Sequence, residues 1–164
     1  DLIAGLPTDT PESFKNSLDS IVRLNAECIT VHTLCMKRAS RLTTEGVTLD
    51  LQQARDAREM LAYTQNILGQ NEYIPYYMYR QSRMVGNLEN VGWSKKGFES
   101  LYNVYVMDET HTILACGSGG VTKLKRNNPD YLERIFNFKY PYEYIDRFDE
   151  LIQRKSGIMQ FYGQ

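Results

Sequence analysis

The sequence of 164 residues lacks several features that would place it in a functional class directly. No apolar run approaches the roughly 18 residues of a membrane span, and no basic start leads into the apolar stretch of a signal peptide. Lys and Arg number 19 against 20 Asp and Glu, which gives a net charge of −1. A protein so balanced has no strong field for nucleic acid or an anionic membrane. We therefore expect neither as a partner.

Cysteine is scarce and scattered. The three cysteines are Cys28, Cys35 and Cys116, and an odd number without a signal peptide argues against a disulfide framework. A zinc or iron–sulfur site normally needs cysteine pairs about two to four residues apart, a spacing that this chain does not have. We expect free thiols in a reducing cytoplasm, and no metal bound to this chain.

An initiator methionine is also absent. Residues 1–6 read as a short apolar strand with a turn at Pro7, so we expect the chain to be a fragment of a longer polypeptide. A natural protein with a processed N-terminus is the alternative. A strand separated from its neighbours exposes unpaired backbone groups, so a homodimer of the fragment is the expected way to cover them.

The first 35 residues have the pattern strand, helix, strand. Thr10 can cap a helix with Pro11 at its first position, and apolar residues then recur at helical spacing. Residues 29–35 alternate as a strand does. This pattern predicts a βαβ unit with parallel strands and a right-handed crossover.

The rest of the chain reads as a smaller α+β region, with the boundary between residues 36 and 72. Gly69 marks the end of a predicted helix. The predicted elements are a helix over 50–68, a strand over 73–79, a loop over 81–99, a hairpin over 101–116 and a C-terminal helix from Pro141 to a stop at Gly157.

The opening segment, Asp1-Leu2-Ile3-Ala4-Gly5-Leu6-Pro7 with Thr10, resembles the D-L-I-x-G-L-P-x-x-T segment of oxygen-independent coproporphyrinogen III oxidase-like radical S-adenosylmethionine (SAM) proteins. The resemblance places it on the fifth strand of a partial (β/α)6 barrel. It implies that Asp1 binds the SAM ribose and that Ile3 lies at the adenine. A carboxylate at a strand suits a ribose because it accepts hydrogen bonds from both hydroxyls. The alternative is that Asp1 is only a terminal residue.

Residues 28–40 are similar to the sixth barrel strand of the same proteins, whose end approaches the methionine part of SAM. That family usually has a small residue at the position of Cys35. A thiol is small enough to fit, so the resemblance implies a contact through the backbone. An ordinary residue at a strand end is the competing reading of Cys35.

Residues 76–93 look closest to the coproporphyrinogen dehydrogenase-like branch of this family. Arginines and aromatic rings suit a flat tetrapyrrole with several carboxylates, which makes Arg80 and Arg83 the substrate-binding candidates. The other reading is a tyrosine-rich sheet edge with solvated arginines. His32 and His111 are expected to be structural and solvated, respectively.

The glycine cluster at 117–120 resembles the G-x-G-x-x-[AS] segment of the family, where the backbone approaches the active-site mouth. Glycine permits such a close approach because it has no Cβ. The resemblance implies that Val121 is the cofactor-contacting side chain there. A simple turn is the alternative.

The cluster motif C-x3-C-x2-C of the family is absent from the sequence. The resemblance therefore implies residues 1–49 as the last strands of a truncated barrel and 50–164 as a small α+β domain with an antiparallel sheet. The parent would bind SAM and a 4Fe–4S cluster, and would decarboxylate coproporphyrinogen III to protoporphyrinogen IX in haem biosynthesis. Its partners would be the missing N-terminal half, a tetrapyrrole and an electron donor, while the fragment alone would bind no cofactor and be inactive. No catalytic residue is assigned.

Two other functions stay open at this stage. One is a haem-binding or haem-transfer protein of the same fold, since likeness of fold does not decide function. The other is a standalone binding module without radical chemistry.

Overall fold

The computed structural model describes residues 1–36, 41–44, 46, 50–82, 84–126 and 131–163. The chain divides into two compact units, Asp1–Val104 and Tyr105–Gln164. Both mix helices and strands, in agreement with the predicted α+β class. The predicted domain boundary between residues 49 and 50 separates the last barrel strands from the C-terminal domain. The division into compact units does not address a barrel, so this boundary stays a prediction.

The first unit is built on a four-stranded sheet of β1 (Leu2–Ala4), β2 (Cys28–Thr33), β3 (Tyr73–Tyr79) and β4 (Asn90–Lys95). The strands lie in the order β1-β2-β4-β3. Strands β1 and β2 are parallel, as the βαβ pattern predicts, and the other two pairs are antiparallel. The helices of this unit are α1 (Pro11–Arg23), α2 (Arg41–Thr44) and α3 (Leu51–Gln70), and a 3-10 turn covers Val85–Asn87.

Both long helices of this unit begin at a reciprocal cap. The Thr10 hydroxyl accepts from the Ser13 amide at 3.2 Å, and the Ser13 hydroxyl accepts from the Thr10 amide at 3.0 Å. In the same way, the Asp50 Oδ1 accepts from the Gln53 amide at 2.7 Å, and the Gln53 Oε1 accepts from the Asp50 amide at 3.1 Å. Such a cap satisfies amide groups that have no partner within the helix. The predicted helix starts are confirmed, and α3 ends at Gln70 rather than Leu68.

The core lies between one face of the sheet and helices α1 and α3. Burying these apolar side chains is the main stabilisation of the unit. The buried members are Ala4, Phe14, Leu18, Ile29, Val31, Met60, Leu68, Tyr73 and Trp93. Gly5 follows β1 with a φ of +83°, and a Cβ there would lie 3.2 Å from the Ala57 Cβ of α3. Glycine therefore allows the turn after β1 to pack closely on α3.

The predicted loop over 81–99 is wrong in its second half, because Asn90–Lys95 forms β4 between β2 and β3. Polar and glycine residues in this segment replace the alternating apolar residues that would predict a strand. Asn90 and Ser94 are buried, and the Asn90 Oδ1 accepts from the Thr33 amide at 2.7 Å. Gly92 gives room to a neighbouring aromatic ring, which is a known use of glycine within a strand.

The predicted hairpin over 101–116 is also wrong, because residues 101–108 form helix α4 (Leu101–Asp108). The division between the two units falls within this helix in the sequence. The Ser100 carbonyl accepts from the Val104 amide at 3.1 Å, which starts the helical ladder. The tyrosine and valine content of this segment favours a strand, but intrinsic preference is weak against such context.

The second unit contains a two-stranded antiparallel sheet of β5 (Val121–Lys125) and β6 (Leu132–Phe136), with helices α5 (Pro141–Asp146) and α6 (Phe148–Tyr162). The predicted helix start at Pro141 is confirmed. The predicted stop at Gly157 is wrong, since α6 runs to Tyr162. A Cβ at Gly157 would lie 3.3 Å from the Ile135 Cδ1, so this glycine allows α6 to approach β6 closely.

Candidate functional site

The four-stranded sheet has a second face, opposite α1 and α3, which we call the distal face. Leu2, Ala4 and Val31 point toward the helices and join the core. Side chains alternate along a strand, so Ile3 and His32, which are paired in the register of β1 and β2, lie on the distal face. The side chains on this face that the site involves are those of Asp1, Ile3, Thr30, His32, Tyr77 and Tyr79.

His32 links β1 to β3 across the distal face. Its Nε2 lies 3.4 Å from the Asp1 Oδ2, and its Nδ1 lies 3.5 Å from the Tyr79 hydroxyl. Burial holds the pKa of His32 below its ordinary value. The Asp1 carboxylate, which would act in the opposite sense, is 70% exposed and therefore screened by water. The imidazole is thus neutral at pH 7.

Two tyrosines of β3 form an aromatic surface beside His32. The rings of Tyr77 and Tyr79 are stacked with centroids 6.4 Å apart and planes 11° from parallel. The Tyr77 hydroxyl lies 3.1 Å from the Thr30 Oγ1, and burial raises the pKa of Tyr77, so its phenol keeps its proton at neutral pH. The distal face therefore offers stacked rings on β3, a neutral imidazole on β2 and a carboxylate just before β1.

The structure places the predicted cofactor residues of the first unit as follows. Asp1 is exposed at the start of β1, and Ile3 is 41% exposed on the distal face. Cys35 follows β2, where it forms an isolated bridge with Met84 and its thiol donates to the Ser82 carbonyl at 3.2 Å. Asp1 and Ile3 thus share a face with His32, whereas Cys35 lies beyond the end of β2.

The predicted substrate residue Arg80 lies on the other side of the sheet. It lines a cleft together with the core-facing residues Val31, Val91 and Trp93. Its Nη2 pairs with the Glu89 Oε1 at 2.5 Å. Arg83, the second candidate, lies outside the described residues. The structure therefore does not bring Arg80 together with Asp1 and Ile3.

Val121 begins β5 in the second unit and is half-buried opposite Phe136. The glycine segment before it is a tight turn, in which Gly117 and Gly119 have φ values of +87° and +72°. The side-chain amide of Asn137 donates to the Gly117 carbonyl at 2.8 Å and stabilises this turn. Positive φ values explain why glycine is needed at these two positions.

The cysteines are free, with Cys28 and Cys116 exposed and Cys35 half-buried. In the part of the chain that the structure describes, no group of three or more His, Cys, Asp or Glu side chains could hold a metal ion. These residues do not fit an iron–sulfur cluster, which is usually held by four cysteines. Among the same residues, no helix combines the length and apolar character that crossing a membrane requires.

Sequence reasoning assigned no role to Tyr77, Tyr79 and His32 as one surface. The spacing of two between Tyr77 and Tyr79 could have placed these two rings on one face, but the register shift between Pro75 and Tyr77, which puts Tyr73 in the core, has no local signal. The meeting of these rings with His32 depends on β4, which separates β2 from β3 and was predicted as loop.

Comparison with known proteins gives one informative match, while no family model and no solved structure matches the chain at a significant level. The chain is 36% identical over 160 residues to the oxygen-independent coproporphyrinogen-III oxidase-like protein HemZ of Bacillus subtilis (strain 168). The match covers 98% of this chain and 32% of HemZ, so the chain spans about a third of that protein's length. The predicted resemblance is thereby confirmed, and the chain is similar over nearly its whole length to an oxygen-independent coproporphyrinogen-III oxidase-like protein.

Proposed function

We propose that this chain is the C-terminal part of a radical SAM enzyme of the oxygen-independent coproporphyrinogen III oxidase type. Strands β1 and β2, which helix α1 connects, would be the last parallel strands of its partial barrel. The observation that carries the proposal is the distal face, which puts Asp1, Ile3 and His32 on the side away from α1 and α3. Barrels of alternating strands and helices keep their helices outside, so this face corresponds to the barrel interior.

The residues of the distal face fit the ribose and adenine parts of SAM. Among the described residues, the exposed Asp1 carboxylate contacts only His32, at 3.4 Å, so it retains capacity to accept from two ribose hydroxyls. Ile3 offers an exposed apolar side chain for the adenine. The backbone at Cys35 and the Val121 side chain are the further proposed contacts. When bound to its cluster, SAM supplies the radical chemistry of such enzymes, and the cysteines for that cluster would come from the preceding part of the polypeptide.

A tetrapyrrole is the proposed substrate of the longer protein. The stacked rings of Tyr77 and Tyr79 suit a flat macrocycle, since aromatic groups favour offset stacking. Arg83 and Arg80 are the proposed partners of its carboxylates. The ion pair between Arg80 and Glu89 competes with this role for Arg80, so the aromatic residues carry more of the proposal. A cytoplasmic location suits the three free thiols.

Haem binding is the second candidate, and His32 favours it. A neutral imidazole is the form of histidine that binds a metal. His32 is half-buried beside Tyr79, at the edge of the stacked rings. For a haem held at the distal face, His32 would be the candidate ligand of the iron.

The two functions are separated by one pair of measurements on the longer protein that contains this chain. Under anaerobic conditions with SAM, a reductant and coproporphyrinogen III, an oxidase forms protoporphyrinogen IX and 5′-deoxyadenosine together. A haem carrier instead binds haem stoichiometrically and forms neither product. In its His32→Ala variant, the absorption spectrum of the bound haem should lose the signature of histidine ligation. If the protein forms no product and binds no haem, both proposals fail.

A further inference from the structure

A cleft of about 270 Å³ lies between α3 and the core-facing side of the sheet in the first unit. Its apolar lining consists of Val31, Leu61, Ala62, Leu88, Val91 and Trp93. Polar side chains stand around this apolar part, among them Arg58, Gln65, Arg80 and Glu89. Small-molecule sites combine an apolar lining with a few polar groups in this way, and this volume is near the lower end of their range.

The charges of the cleft do not cancel. Arg80 and Glu89 neutralise each other through their 2.5 Å ion pair. Arg58 is exposed on α3 and forms no ion pair among the described residues. One positive charge is therefore left beside an apolar lining.

Trp93 takes part in the cleft through its ring. Its side chain forms part of the cleft and is only 7% exposed, and its buried Nε1 donor has no hydrogen-bond acceptor in the described part of the chain. Trp93 therefore contributes its buried ring to the cleft lining, while its N–H is closed off from a ligand in the cleft.

We propose that this cleft binds a small carboxylate with an apolar body, its carboxylate at Arg58 and its apolar body against Leu61, Val91 and the ring of Trp93. The site lies on the opposite side of the sheet from the distal face. It is independent of the proposed radical chemistry, so either proposal can fail without the other. A carboxylate suits Arg58 because a guanidinium binds it through two parallel hydrogen bonds.

The test uses intrinsic fluorescence, since Trp93 is the single tryptophan of the chain. The probes are 4-phenylbutyrate, 4-phenylbutan-1-ol and 4-phenylbutylamine, which share an apolar body and differ in the charge of the head group. We expect 4-phenylbutyrate to change the Trp93 emission with saturation, and the alcohol and amine to do so at least about tenfold more weakly, as loss of a charged hydrogen bond implies.

Two variants and a control complete the design. Arg58→Gln should weaken 4-phenylbutyrate binding about tenfold, whereas Arg55→Gln, on an exposed arginine of the same helix that does not line the cleft, should leave it unchanged. Ala62→Leu should abolish binding by filling the cleft while keeping its charge. No saturable signal at millimolar 4-phenylbutyrate, equal binding of the amine, or equal losses in Arg55→Gln and Arg58→Gln would each overturn the proposal.

Discussion

The Tyr77 ring lies directly over Gly92 of the neighbouring strand. A Cβ at Gly92 would come within 1.9 Å of the Tyr77 Cε1, closer than any real contact. The two residues are register partners in β3 and β4. Glycine at 92 therefore makes room for the aromatic surface of the distal face, and the Tyr77 hydroxyl reaches Thr30 across it at 3.1 Å.

Gly92→Ala should displace Tyr77 and disrupt its contact with Thr30. Overpacking of this kind costs about 1–3 kcal/mol of unfolding free energy. Urea unfolding followed by Trp93 fluorescence measures it, because Trp93 lies next to the substituted residue.

Gly69→Ala is the matched control. Gly69 lies in α3, and nothing is within 4 Å of a Cβ placed there. Alanine should stabilise that helix by about 0.5–1 kcal/mol. A Gly92→Ala protein as stable as the original would show that the Tyr77 ring is not fixed over Gly92.

The stability of the first unit should fall on acidification because of His32. Its pKa in the folded state is lowered, mainly by burial, so between that pKa and the unfolded value of about 6.5 the unfolded state binds more protons. The unfolding free energy therefore rises with pH through this window and levels off above it. Chemical unfolding at several pH values measures the slope.

His32→Gln should reduce that slope, and His111→Gln, in the second unit, should retain it. A pH dependence that is the same in the original protein and in His32→Gln would contradict the burial of His32 on the distal face.

The sequence predicted the parts of the fold that local rules determine. The caps at Thr10 and Asp50 specify where α1 and α3 begin, and the alternation in residues 28–33 specifies β2. Gly92 and Gly157 misled the prediction because glycine also marks turns and helix ends. In both cases the reason for glycine is a side chain distant in sequence, Tyr77 or Ile135, which no local pattern reveals. The meeting of Asp1, His32 and Tyr79 required the same long-range information.

The chain should bind no iron–sulfur cluster by itself. Its three cysteines are free, and the Cys28 and Cys35 thiols donate to the carbonyls of Phe98 and Ser82, in different loops. Anaerobic reconstitution with iron and sulfide, followed by iron analysis, should give iron well below one cluster per chain. Stoichiometric iron with the absorption of a cluster would overturn this prediction.

The chain should also associate with itself through β1. This strand is at the edge of the four-stranded sheet, and Ile3 on it is 41% exposed. An edge strand with exposed apolar side chains favours pairing with another chain. Light scattering of the untagged protein over a dilution series should show a dimer that dissociates on dilution.

Ile3→Glu should shift that equilibrium toward the monomer. Ile74→Glu on β3, at the other edge and 45% exposed, should leave it unchanged. A monomer at every concentration, with β1 ordered, would contradict the proposed pairing.

The most direct test of the account is SAM binding by the longer protein that contains this chain, measured by anaerobic calorimetry with and without Asp1→Asn. If Asp1 accepts from the SAM ribose, the substitution should cost about 1–3 kcal/mol, which is roughly a 5- to 150-fold rise in Kd. Glu12→Gln, at an exposed acid in the first turn of α1, should leave the Kd unchanged. An unchanged Kd in Asp1→Asn would contradict the assignment of the distal face to the cofactor.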